Sequence, residues 1–226
     1  ENRARQAEIL HPEATDPTLA ALRRDAQALG VWLLIGSLAL KTDDADGRFA
    51  NRSFLIAPDG SIAARYDKIH MFDVDVSETE KYRESAAYRP GQAATLARMN
   101  DTQIGMAICY DLRFPHLFRG LAQAGAKILT VPAAFNDTTG AAHWHVLLRA
   151  RAIETGCFML APAQCGQHHQ GRKSYGHSLA VAPWGEVLAD GGTDTGVTLV
   201  DLDLKQVEKA RARVPSLFHD RYFEAP

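Results

Sequence analysis

The 226-residue sequence is poor in the features that mark secreted, membrane-spanning and nucleic-acid-binding proteins. Its three cysteines cannot all pair, which excludes a disulfide framework. No stretch reads as a signal peptide, so a reducing cytoplasm is the expected compartment. The longest apolar runs, such as Val31 to Ile35, are far too short to cross a bilayer as a helix. Basic residues number 25 against 27 acidic ones, a net charge of −2, and no basic block stands out. Nucleic acid and anionic membranes are therefore not expected as partners. CxxC and HExxH spacings are absent. His143 and His145 lie two apart on a predicted helix, so they do not share a face, and no metal site is expected. Internal repeats, low-complexity tracts and inter-domain linkers are also missing.

What is present is ordinary globular composition, 46% apolar and 23% charged. Asp16-Pro17 is a helix-start signal, and Leu19, Leu22, Ala26 and Leu29 mark one helical face that Gly30 closes. Strands are expected at 31–40, 49–57 and 61–66, the last two forming a hairpin around Pro58-Asp59-Gly60. Residues 68–90 read as one long loop. The strand 104–109, helix 115–124 and strand 127–133 form a βαβ unit, which implies parallel pairing. A long helix over 141–155 follows, then a strand at 157–163 and a histidine-rich loop containing His168, His169 and His177. A hairpin around Pro183-Trp184-Gly185, a last strand at 197–203 and a charged helix at 204–214 complete the order. Helices alternating with strands and hairpins point to a layered α/β protein with a mixed sheet.

Cys109 is the sharpest chemical candidate. It ends an apolar strand before a turn into a helix, the edge where reactive groups concentrate in α/β sheets. Amide groups at such a turn favour a thiolate and can hold an oxyanion. A small buried hydrophobe is the competing reading of a lone cysteine. Cys157 and Cys165 read as structural. Taken singly, Lys68 and Glu84 fit ordinary polar loop residues, and Arg149, Arg151 and Glu154 fit a helical salt-bridge network.

Read together, these pieces form a colinear pattern. Tyr66-Asp67-Lys68-Ile69-His70-Met71-Phe72-Asp73 resembles the lysine motif of the nitrilase, or carbon–nitrogen hydrolase, superfamily. Ile108-Cys109-Tyr110-Asp111-Leu112-Arg113-Phe114-Pro115 resembles its nucleophile motif. Pro132 to Phe135, Thr139-Gly140, His143-Trp144 and Arg149 to Glu154 follow in the family's order. The resemblance runs from about Leu19 to Val214. It implies a four-layer α-β-β-α sandwich with mixed sheets and pairing into a homodimer or higher homo-oligomer. It also implies amide hydrolysis without metal or organic cofactor, through a Glu-Lys-Cys triad.

Carried over, Cys109 is the nucleophile and Lys68 the cation facing the oxyanion. Glu84 is a second glutamate that orients the lysine or the substrate. Tyr110 and Phe135 fall among the substrate-binding positions. The stretch Gln164 to His169, with Arg172, Ser174 to Ser178 and Pro183-Trp184-Gly185, is most similar to the deaminated-glutathione amidase branch. That implies a small linear amide carrying two carboxylates, with Arg172 or His168 binding one of them; a purely structural role for this loop is the other reading. An ω-amidase and an N-carbamoyl amino acid hydrolase are the neighbouring activities.

One departure stands out. The family's first catalytic glutamate belongs to an upstream Pro-Glu motif, which is absent here. Glu1 is expected to be a loop residue rather than that acid. Residues 1–226 therefore read as a single carbon–nitrogen hydrolase domain without its N-terminal strand-helix-strand segment, a piece of a longer chain. A non-catalytic binding homologue is the expectation if that glutamate is truly absent.

Overall fold

A computed structural model describes residues 3–78, 80–168 and 171–224. A short helix α1 (Arg3–Ile9) leads into α2 (Pro17–Leu29). The Asp16 side chain accepts the Leu19 N–H at 2.7 Å, and Gly30 takes the left-handed conformation at φ 64°, so both helix ends follow the sequence signals. Strands β1 (Leu33–Leu40), β2 (Ala50–Ile56) and β3 (Ile62–Asp67) form an antiparallel sheet in chain order. A small hairpin follows, β4 (Asp73–Asp75) with β5 (Lys81–Arg83). The remaining strands are β6 (Thr95–Met99), β7 (Thr102–Met106), β8 (Ile128–Thr130), β9 (Phe158–Ala161), β10 (Cys165–Gln167), β11 (Lys173–Tyr175), β12 (Leu179–Val181) and β13 (Val187–Asp190). Helices α3 (Pro115–Gln123), α4 (Asp137–Thr155) and α5 (Lys205–Arg213) lie among and after them.

The second sheet has six strands in the order β13-β12-β9-β8-β7-β6. Pairing is parallel for β7-β8 and β8-β9 and antiparallel elsewhere, so the sheet is mixed. Side-chain alternation sorts the layers. Leu19 and Ala26 of α2 pack on Ile35, Phe54 and Ile56 of the first sheet. The other face of that sheet sends Leu55 and Tyr66 against Ala97 and Met106 of the second and Ile108 just beyond it. Beyond it, Leu129, Met159 and Val181 meet Leu121, Trp144 and Leu148 of α3 and α4. The order helix, sheet, sheet, helix is the four-layer α-β-β-α sandwich.

Three expectations about elements are corrected. Residues 68–90 are not one irregular loop, because β4 and β5 pair within them and a 3₁₀ turn, Glu84–Ala86, follows. The histidine-rich loop contains the β10–β11 hairpin. The strand expected at 197–203 does not form: its backbone joins none of the described ladders. Val197 and Leu199 there stand 89% exposed. Among the described residues, no helix is long and apolar enough to cross a membrane.

Candidate active site

Lys68 leaves the end of β3 at the junction of the two sheets. The β2–β3 register sets Arg52 opposite Asp67, and the guanidinium grips that carboxylate through two bonds of 2.5 and 2.9 Å. The Lys68 N–H donates to the Asn51 carbonyl at 2.9 Å, and the Lys68 carbonyl accepts the Gly91 N–H at 2.7 Å. A Cβ on Gly91 would fall 2.1 Å from the Asp67 carbonyl oxygen, so only glycine allows that approach. The backbone is thus pinned on both sides of the lysine. Its side chain is buried, 3% exposed.

A buried ammonium requires a counter-charge. The β4–β5 hairpin supplies it by returning Glu84 to within 2.5 Å of Lys68 Nζ. The same carboxylate oxygen accepts the Phe72 N–H at 2.7 Å, and the other accepts Asn51 Nδ2 at 3.0 Å. Lys68 and Glu84 are 16 residues apart in the chain, and the hairpin between them makes the pair possible. On the far side, Tyr82 Oη donates to Glu80 at 2.5 Å and Asn136 Nδ2 donates to the same carboxylate, tying the hairpin to the start of α4.

Cys109 opens a 3₁₀ turn, Cys109–Arg113, three residues beyond the end of β7. Its backbone sits at φ 47°, in the left-handed region that side chains other than glycine rarely adopt. Strain of this kind concentrates at functional turns. The Cys109 N–H donates to the Pro132 carbonyl at 3.0 Å, which holds the turn against the end of β8. Burial pushes the thiol pKa up, the Lys68 ammonium pulls it down, and the nearby Glu84 carboxylate raises it again. A hydrogen bond from the Ala134 N–H also favours the anion. The net direction is upward, which favours the thiol over the thiolate.

Behind the turn lies a cluster that sequence reasoning did not single out. Asp111 is fully buried and accepts Tyr66 Oη at 2.7 Å, the Ile108 N–H at 2.9 Å and the His70 N–H at 3.0 Å. His70 Nδ1 lies 2.7 Å from it, and the His70 ring stacks on Phe114 with centroids 3.5 Å apart. One carboxylate therefore joins the Lys68 segment to the Cys109 turn. These residues belong to the quoted lysine and nucleophile motifs, but the pairing across 41 positions has no local signal.

Cys109, Lys68 and Glu84 line one cavity of about 740 Å³, within the range of small-molecule sites. Tyr110 and Phe135 line it too, and the Arg113 guanidinium lies over both rings at 5.9 and 5.3 Å. Arg172 lines the cavity together with Lys81, Arg83 and Lys173, while Glu84 is the one carboxylate among the described lining residues. His168 is placed elsewhere: it is not among the lining residues, and its Nε2 lies 2.8 Å from Ser174 Oγ within the β10–β11 hairpin. Asn51 Oδ1 and Thr139 Oγ1 line the cavity and are buried with no hydrogen-bond partner among the described residues. Thr139 belongs to the quoted Thr139-Gly140 pair, whereas Asn51 carries no spacing signal. Glu1 lies outside the described residues.

Residues 1–212 match the carbon-nitrogen hydrolase family. The chain belongs to that family. As a carbon–nitrogen hydrolase it is 41% identical over 207 residues to a deaminated glutathione amidase of Yersinia enterocolitica, covering 91% of this chain and 72% of that one. Among solved structures, the C. elegans NitFhit protein superposes with a TM-score of 0.85 at 35% identity. That match covers 91% of this chain, which spans only 50% of the worm protein. A mutant amidase from Nesterenkonia sp. AN1, solved with acrylamide added at its active-site cysteine, has a TM-score of 0.74 at 26% identity. It covers 95% of this chain and 80% of its own. None of the three cysteines of the hydrolase chain is in a disulfide, so Cys109 is available as a thiol.

Proposed function

We propose that this chain carries the site of an amidase that hydrolyses deaminated glutathione to 2-oxoglutarate and cysteinylglycine through an acyl-enzyme on Cys109. The observation that carries the reading is the meeting of a thiol, a buried ammonium and its glutamate on the wall of one cation-lined cavity. The thiolate adds to the amide carbon, a C–S bond forms and the carbonyl oxygen becomes an oxyanion. The Lys68 ammonium, with a backbone N–H of the nucleophile turn, offsets that charge where it develops. Collapse breaks the C–N bond, and the departing amine takes a proton. Water then adds to the thioester, releases the acid and restores the thiol.

The proton must be taken from the thiol, given to the amine and taken again from water, so a carboxylate has to cycle as base and acid. Glu84 is poorly suited to that duty, because both its oxygens are already occupied by three donors. We read Glu84 as the residue that positions Lys68. The shuttling carboxylate belongs, in this reading, to a segment upstream of the described residues.

Substrate choice follows from charge. Lys81, Arg83, Arg172 and Lys173 line a cavity with one carboxylate among its described lining residues, itself paired with Lys68. Arg172 is the residue assigned to a substrate carboxylate, a task suited to a planar guanidinium. The three thiols fit a reducing, cytoplasmic setting, and the exposed apolar Val146 and Ile153, one heptad apart on α4, fit self-association as a homodimer.

The test is a substrate panel with the full-length protein: deaminated glutathione, 2-oxoglutaramate and an N-carbamoyl amino acid. Deaminated glutathione should give the highest kcat/KM. Arg172→Ala should raise KM for this dianion by about tenfold to a hundredfold, the loss of one charge-assisted contact. An unchanged KM would remove Arg172 from substrate binding, and preference for either other amide would overturn the substrate assignment.

A further inference from the structure

Outside the catalytic cavity, three side chains from three separate elements converge. His145 projects from α4, His177 from the turn between β11 and β12, and Asp190 from the end of β13. His145 Nε2 lies 3.0 Å from Asp190 Oδ2. His177 Nδ1 lies 2.9 and 3.0 Å from the two carboxylate oxygens. One ligand atom from each of the three residues lies within 4.8 Å of the other two.

We infer that His145, His177 and Asp190 form a binding site for a Zn²⁺-type divalent transition ion, separate from the catalytic centre. Two imidazoles with one carboxylate suit zinc and its neighbours, whereas calcium and magnesium prefer oxygen alone. Metal–ligand bonds of about 2.0–2.1 Å at tetrahedral angles set donor atoms roughly 3.3 Å apart. The two His–Asp190 separations need to open by only a few tenths of an ångström, and the two imidazole nitrogens lie within 4.8 Å of each other. Their side chains are 24–34% exposed, which leaves an entry path and a fourth position for water.

The surroundings hold the ligands as supporting bonds do in metal sites. The His177 N–H donates to the Gly192 carbonyl at 2.6 Å, and the His177 carbonyl accepts Trp144 Nε1 at 2.8 Å. These bonds fix the backbone of a residue at φ 57°, one of three non-glycine residues with positive φ among those described. Another of the three is Cys109. The Tyr175 ring stacks on the His177 imidazole with centroids 4.4 Å apart. The Gly192 N–H donates to Asp190 Oδ1 at 2.9 Å. Burial opposes ionisation of this carboxyl, but the Gly192 N–H and the two imidazoles outweigh it and hold its pKa down at about 2. His143, two residues from His145, instead approaches Arg113 at 3.3 Å, so the pair that the sequence sets side by side does diverge.

The test uses metal-free protein carrying Cys109→Ala, which removes the cavity thiol as a competing ligand. Titration with Co²⁺ should give one ion per chain, visible d–d bands and no thiolate charge-transfer band, and Zn²⁺ should displace it. Asp190→Asn and His145→Gln should each weaken binding at least about tenfold, and His219→Ala, at an exposed site, should leave it unchanged. Histidine-ring ¹⁵N spectra of the unsubstituted protein give a reading that needs no variant at these positions. Zn²⁺ should shift the resonances of His145 Nε2 and His177 Nδ1. Absence of binding, a thiolate band, full affinity in both variants, or unmoved ring nitrogens would each overturn the site.

Discussion

Replacing Cys109 by alanine should reduce amide turnover by at least about 10⁴-fold and leave the fold intact. Loss of a nucleophile in a concerted catalytic group removes nearly all the chemistry, because the remaining groups have nothing to activate. The effect on stability should be small. Cys109 is only partly buried, and its side chain ends at the cavity, so truncation leaves no sealed void in the core. Serine should fail almost as completely, since the same pocket already disfavours the thiolate and an alkoxide is far harder to form. Steady-state assays set beside a denaturant melt separate the two effects. Wild-type turnover by a clean Cys109→Ala preparation would refute the nucleophile assignment, and a large loss of stability would show that the site is misplaced in the packing.

The second large effect belongs to Glu84. In Glu84→Gln the Lys68 ammonium stays buried without its counter-charge, and breaking a buried ion pair on one side costs about 3–5 kcal/mol. The denaturation midpoint should fall accordingly, and turnover should fall with it as Lys68 loses its fixed position. The double variant Lys68→Met with Glu84→Met divides these consequences. With both charges gone, no uncompensated ion remains, so stability should return toward the wild-type value. Activity should not return, because the cation facing the oxyanion is lost. Recovery of both would mean that the pair serves the fold alone. A single Glu84→Gln variant as stable as wild type would mean that the buried ammonium finds another partner.

How much of this was legible in the sequence depends on the range of each interaction. The caps of α2, the hairpins at Pro58-Asp59-Gly60 and Pro183-Trp184-Gly185, and the parallel β7-α3-β8 unit rest on neighbours within a few positions. Their signals are local and were readable. Strand β6 was not read, because Thr95–Met99 becomes a strand only by pairing with β7. The reverse holds at 197–203, where an apolar alternating run has strand propensity but no described partner. The site divides the same way. Cys109 is recognisable from the turn that carries it, and Lys68 and Glu84 from the resemblance of their motifs. That both oxygens of Glu84 are engaged by Lys68, Phe72 and Asn51 depends on a hairpin whose pairing has no local signal. The Asp111 junction spans 41 and 45 residues and His145 lies 45 residues from Asp190, distances that no spacing rule reaches.

The central claim is covalent catalysis at Cys109, and rapid-quench mass spectrometry tests it most directly. Full-length protein is mixed with deaminated glutathione, quenched in acid within the first turnover and digested. The account predicts a 2-oxoglutaryl thioester on the peptide carrying Cys109, formed together with a burst of cysteinylglycine and absent from Cys109→Ala. Turnover that proceeds with no adduct on that peptide, or with the adduct at Cys157 or Cys165, would contradict it.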